Sequence, residues 1–141
     1  MAAAIETKIW LALRTRVETL VLSPQLEIAW PNETFTPVTG TPFLEVKHFP
    51  NVPQRKFLKG SEPNYFQGIL QIMLHAQQNR PYGHAQAVDV AGQIIEHFPA
   101  DQLLPYDNIT ARVAKKPYYT IVGNTGVYYD ISISIPYHLE D

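Results

Sequence analysis

Apolar residues recur at Ile5, Ile9, Leu13, Val17 and Leu20, while Glu6, Lys8, Arg14 and Glu18 mostly lie off that line. This is the spacing of an amphipathic helix over residues 3–20, and Ser23-Pro24 ends it. Leu26 to Trp30 then alternates as a short strand, stopped at Pro31-Asn32, and NETFTPVTGTP (residues 32–42) reads as a loop. Phe43 to Phe49 forms a second strand, with Leu44, Val46 and His48 on one face. Between Pro50 and Asn64 no period survives. Prolines, Gln54, Arg55, Lys56, Lys59 and Gly60 predict a long exposed loop at about 50–64, and loops of that length inside a compact domain are usually functional.

Phe66 to Ala76 is nearly all apolar and predicts a central strand buried on both faces. Over 83–99 (GHAQAVDVAGQIIEHFP) the period returns to that of a helix. Ala87, Val88, Ala91, Ile94, Ile95 and Phe98 share one face, and Gln86, Asp89, Gln93 and Glu96 the other; Pro99 stops it. A strand follows at 108–114. Residues 118–122 and 127–137 predict a hairpin across Gly123-Asn-Thr-Gly126, with Tyr129, Ile131, Ile133 and Ile135 opposite Asp130, Ser132 and Ser134. The expected order is α, β, β, β, α, β, β, β in a single domain over 1–141. The fold class is therefore α+β: a mostly antiparallel β-sheet with two amphipathic helices packed on one face.

Composition narrows the function classes. At 141 residues and 45% hydrophobic, the chain can build one real core, and a charged fraction of 17% leaves it modestly charged. Eight tyrosines suit half-wet protein contacts. A net charge of −2 steers neither nucleic acid nor membrane. With no cysteine, disulfides and thiolate metal sites are excluded. Glu6, Lys8, Arg14 and Arg16 interrupt the N-terminal apolar run, so neither a signal peptide nor a membrane span is expected there. Asn32 and Asn108 begin N-x-T triplets that should stay unmodified in a cytosolic chain.

No motif for chemistry emerges. The five histidines (His48, His75, His84, His97 and His138) show no HxxxH or HxH spacing, so no metal and no cofactor is expected. His84 and His97 lie thirteen apart on the second helix; Asp89 and Glu96 sit two turns apart on its solvent face. The serines lack a GxSxG context. Gly123-Asn-Thr-Gly126 is followed by a strand rather than Lys-Ser/Thr and a helix, so it is a turn and not a phosphate loop. Two basic clusters remain: Arg55-Lys56 with Lys59, and Arg112 with Lys115-Lys116 beside Tyr118-Tyr119. Such clusters suit protein contacts or, interleaved with aromatics, single-stranded nucleic acid.

The order of segments resembles the tail-terminator (minor tail protein U-like) family of long-tailed bacteriophages and prophages. It runs from an N-terminal helix through EIAWPNETFTP, PFLEVKHF, YFQGILQIML and GHAQAVDVAGQIIEHFP to YYDISISIPYH. The likeness spans about residues 4–137; its most specific pieces are Ala29-Trp-Pro-Asn32, Gly68-Ile-Leu-Gln71, His97-Phe-Pro99 and Ile135-Pro-Tyr137. The resemblance implies a non-enzymatic virion protein, assembled in the host cytoplasm, that forms a homohexameric ring on the head-proximal end of the tail tube. The ring ends tube polymerisation and presents a surface for head joining. Its partners would be other copies of itself, the tail tube protein and the head-tail connector protein, with DNA only as passing cargo and no membrane.

Ring closure needs two different patches on each subunit. Gln54, Arg55, Lys56, Lys59 and Tyr65 are assigned to the interface through the 50–64 loop, and Arg112, Lys115 and Lys116 to the channel lining. The alternatives are a small α+β nucleic-acid-binding module using the two basic clusters, or another phage head-tail connector or neck protein. An enzyme using unpaired carboxylates and histidines is a third.

Overall fold

The computed structural model of the protein describes residues 4–23, 25–51, 54–55 and 64–140. Helix α1 spans Ile5–Glu18, followed by strands β1 (Glu27–Ala29), β2 (Phe43–Pro50), β3 (Gln54–Arg55) and β4 (Asn64–Gln77). Helix α2 (Gly83–His97) comes next, then β5 (Leu103–Tyr106), β6 (Ile109–Val113), β7 (Tyr118–Thr125) and β8 (Tyr128–Glu140). All eight strands join one sheet in the order β1-β2-β4-β8-β6-β5. β3 adds to β4, and β7 adds to β8 in line with β6. Every pairing is antiparallel except β1 with β2. The α+β expectation is met.

Cross-strand rows explain where the core sits. Leu44, Leu74 and Ile131 stand opposite one another, as do Val46, Ile72 and Ile133; Leu70 with Ile135 and Val113 with Tyr137 continue the same face. All of these side chains are buried. α2 packs on β8 and β4, and α1 on β5 and β6. α1 buries Ile9, Ala12, Leu13 and Val17; α2 buries Ala87, Val90, Ala91, Ile94 and Ile95. The stripe on α2 therefore includes Val90, while Val88 is only partly buried; the other expected positions hold, and the face turns only slightly.

The helix ends are locked to one another. The Arg16 guanidinium donates twice to the His97 carbonyl (Nε 3.0 Å, Nη2 2.6 Å), and His97 Nε2 lies 3.0 Å from the Arg16 carbonyl. Gln93 holds the chain after α1 by accepting from the Ser23 N–H at 2.9 Å and donating to its carbonyl at 3.2 Å.

Four local expectations change. β4 is central, but its alternate positions Gln67, Ile69, Gln71, Met73 and His75 are only partly buried, because among the described residues both helices lie on the other face. β5 was absent from the expected order: Pro105 lacks an N–H and argues against a strand, yet at the sheet edge no partner needs that donor. The β7–β8 turn is Gly126-Val127, and Gly123 (φ +99) lies in β7 at a bulge rather than in the turn. Within the long 50–64 stretch, Pro50 ends β2 and Gln54–Arg55 pair with Asn64–Tyr65; residues 52–53 and 56–63 lie outside the described residues.

Candidate functional site: the open edges and open face of the sheet

Two open edges concern the site. On one side β7 pairs, among the described residues, with β8 alone, and Tyr118, Tyr119, Ile121 and Val122 are 45%, 44%, 39% and 50% exposed. Native sheets usually shield such an edge with charge, proline or short length. Here eight residues of edge carry four large apolar side chains. Pro117 precedes the strand, with Lys115 and Lys116 exposed before it. The Lys115 ammonium stands 5.7 Å from the Tyr118 ring centre, a cation–π pairing.

On the other side β1 pairs with β2 only from Phe43 to Glu45; beyond it no described strand pairs with the outer edge of β2, though Trp10 stacks on the His48 ring at 5.5 Å. A groove of about 680 Å³ runs along this stretch, walled by Trp30, Pro31, Phe35 and Pro37 and floored by Val46 to Phe49. Trp30 is held by Trp10 edge-on at 6.2 Å and by the Arg14 guanidinium 4.2 Å above its ring. Arg14 pairs in turn with Glu33 and, at 3.7 Å, with Glu18. The hydrogen bond that Arg14 donates to Glu33 raises the Arg14 pKa above its usual value.

The face without helices carries the polar chemistry. His75 Nδ1 lies 2.7 Å from Asp130 Oδ1 and its Nε2 3.1 Å from Glu45 Oε1. Thr125 donates to the second Asp130 oxygen, and Phe43 stacks on the imidazole at 4.5 Å. Both ring nitrogens thus face carboxylates. The arrangement braces the sheet. Asp130, Ser132 and Ser134 are buried here, although alternation alone put them toward solvent. Among the described residues no three His, Asp or Glu side chains are grouped to hold a metal ion. No helix of the structure is long and apolar enough to cross a membrane.

The sequence-selected residues separate into three places. The Gln54–Arg55 backbone forms β3, while Lys56 and Lys59 fall outside the described residues. Tyr65 is partly buried, its ring 5.8 Å from that of His138, and His138 stands opposite Arg112. Tyr65 and Arg112, far apart in sequence, thus share one end of the open face. Lys115 and Lys116 lead away from it to the β7 edge. The apolar edge of β7 was not among the chosen residues. Its signal was present, since Tyr118 to Val122 shows no polar alternation, but the edge position of the strand was not.

The sequence model of the phage tail terminator protein family matches residues 8–137. The chain belongs to that family. It is a structural component of a phage tail, and membership implies contact with other tail and head components. Six chains among solved structures match the fold, one with a TM-score of 0.70 over 91% of this chain and 93% of its own, at 19% identity. At that identity the likeness speaks for the fold alone. No curated protein matches the sequence.

Proposed function

We propose that this tail terminator closes into a hexameric ring on the head-proximal end of the tail tube, ends tube polymerisation and offers the surface to which the head is joined. The observation that supports this most is the free β7 edge: eight residues with four half-exposed apolar side chains and no strand beyond it among the described residues. An edge of that kind is a template for another chain, and a chain that must assemble only at the tube end has a reason to keep one. The open face, carrying Lys47, Gln71, Arg112 and His138 beside Glu45 and Asp130, is polar and mixed in charge. We assign it to the channel, where mixed charge lets DNA pass without being gripped. Arg112 stays with that lining; Lys115 and Lys116 belong to the subunit boundary. Residues 50–64, with Tyr65 at their end, are assigned to the arm that meets the tube.

Native mass spectrometry with purified tail tubes tests the ring. Six subunits of 16.0 kDa make 96 kDa, and phage lacking the protein should carry tails of uncontrolled length by electron microscopy. A protein that stays monomeric on tubes, together with tails of normal length in its absence, refutes the proposal.

A further inference from the structure

The geometry points to the way in which neighbouring copies join: β7 of one copy adds, antiparallel, to the bare outer edge of β2 in the next, so that one sheet continues from subunit to subunit. This rests on the ring proposed above. Four observations carry it.

Among the described residues, outward backbone groups stand without a strand partner on both edges. Asn51 N–H donates to the Gln67 carbonyl, which sets the alternation of the β2–β4 ladder; carried across β4 and β8, it agrees with Ala114 N–H donating to the Pro136 carbonyl. By that alternation Tyr118 and Thr120 bond to β8, while Tyr119 and Ile121 turn their N–H and C=O outward. On β2 the even positions face out, so His48 presents its N–H and C=O where β1 no longer reaches.

The two bare stretches overlap in two rows of the sheet. Val46 stands opposite Ile72, Ile72 opposite Ile133 and Ile133 opposite Tyr119; Lys47, Gln71, Ser134 and Tyr118 form the next row. Because each step from β2 to β7 is antiparallel, β7 of one copy meets β2 of the next in the antiparallel sense without any turn of the subunit. The groove of about 680 Å³ beside β2 supplies room for the added strand and its tyrosines.

Charge selects the partner as a second copy of this chain. Residues 17–50, which build the β1–β2 side, hold four glutamates against one cation, Lys47. Residues 108–129, which build the β6–β7 side, hold Arg112, Lys115 and Lys116 and no carboxylate. Glu18 and Glu33 share the single Arg14, so the acidic side remains acidic. Two unlike, complementary edges on one subunit make a head-to-tail contact, the kind that closes rings.

Proline separates backbone pairing from side-chain contact, because an edge strand tolerates it where the N–H faces outward. Tyr119→Pro should keep a cooperative thermal unfolding transition yet give no hexamer at a concentration roughly tenfold above that at which the wild type assembles on tubes. Tyr119→Val, which keeps the N–H, should assemble. If Tyr119→Pro does not fold, the charge reversals of Lys115 and Lys116 carry the test. Lys115→Glu with Lys116→Glu should block rings, and adding Glu27→Lys with Glu33→Lys in the same chain should restore them. Rings from the proline variant equal to those of the wild type overturn the strand pairing while leaving the ring itself intact. Hexamers that form but fail to cap tubes assign the edge to the tube protein and overturn it as well. A wild type that never forms rings overturns the underlying function instead.

Discussion

A methyl group placed on Gly68 would stand 2.6 Å from the Tyr137 hydroxyl, 2.7 Å from the Phe49 carbonyl oxygen and 2.9 Å from the Pro50 Cα. Glycine is there so that Tyr137 can lie across the strand and reach His48, whose Nε2 is 2.7 Å from its hydroxyl. Burial lowers the His48 pKa and raises that of Tyr137 to about 12, so a neutral imidazole accepts from an intact O–H. Gly68→Ala should therefore cost about 1–3 kcal/mol in urea unfolding. Adding Tyr137→Phe should not recover it, because two of the three obstructing atoms are backbone; full recovery would mean that only the hydroxyl matters.

His97 behaves as His48 does. Desolvation, and then the nearby Arg16 charge, lower its pKa against the hydrogen bond to the Arg16 carbonyl. A histidine whose folded pKa lies below its unfolded value of about 6.5 binds its proton more readily once unfolded. The stability held by both groups is complete above that pH and is lost as pH falls below it. The thermal midpoint should drop between pH 7 and pH 5, and His48→Gln with His97→Gln should flatten the slope. An unchanged slope in the double variant rules the two histidines out.

At the scale of elements, α2 is a packing helix, and its two faces predict opposite outcomes. Ile94 is fully buried, and Ile94→Asp puts an unpartnered charge against β8 and β4; a loss beyond about 4 kcal/mol should unfold the domain. Asp89 accepts from Gln93 at 3.1 Å on the exposed side, and Glu96 is exposed. Asp89→Ala and Glu96→Ala should each shift stability by under about 0.5 kcal/mol and leave tail assembly intact. Loss of capping by either variant at an unchanged melting temperature would make this helix a contact surface.

Gln93 shows why the polar face was only partly legible. It lies among solvent-facing positions by periodicity, yet it bonds both backbone groups of Ser23, seventy residues away. The same holds for Asp130, which alternation turns outward and the His75–Glu45–Thr125 cluster buries.

For the whole molecule, Arg55, Lys56 and Lys59 provide a test of the tube-facing arm that is independent of the β7 edge. Changing all three to Glu should leave the melting temperature within a few degrees of wild type, since charges of the kind the sequence expects in an exposed loop contribute little to stability. It should lengthen tails measured by electron microscopy. Tails of normal length would remove residues 50–64 from the tube contact and leave the sheet edges to carry all of the assembly.

The sequence by itself determined the parts that depend on near neighbours. The two helices, strands β2, β4 and β8 and their core-facing side chains follow from periods of 3.6 and 2, and proline and glycine mark several of their ends. The order of these segments also carried the family, matched at residues 8–137. Whatever depends on distant neighbours, tertiary structure alone decided. Pro105 forbids a strand only where a partner needs its N–H, and the sheet puts it where none does. Gly123 permits a turn or a bulge equally, and pairing with Asp130 selects the bulge. Tyr118 to Val122 is simply an apolar run until β8 pairs with it on one side and no described strand stands on the other. An edge is a property of the sheet's order, and local periodicity does not encode that order.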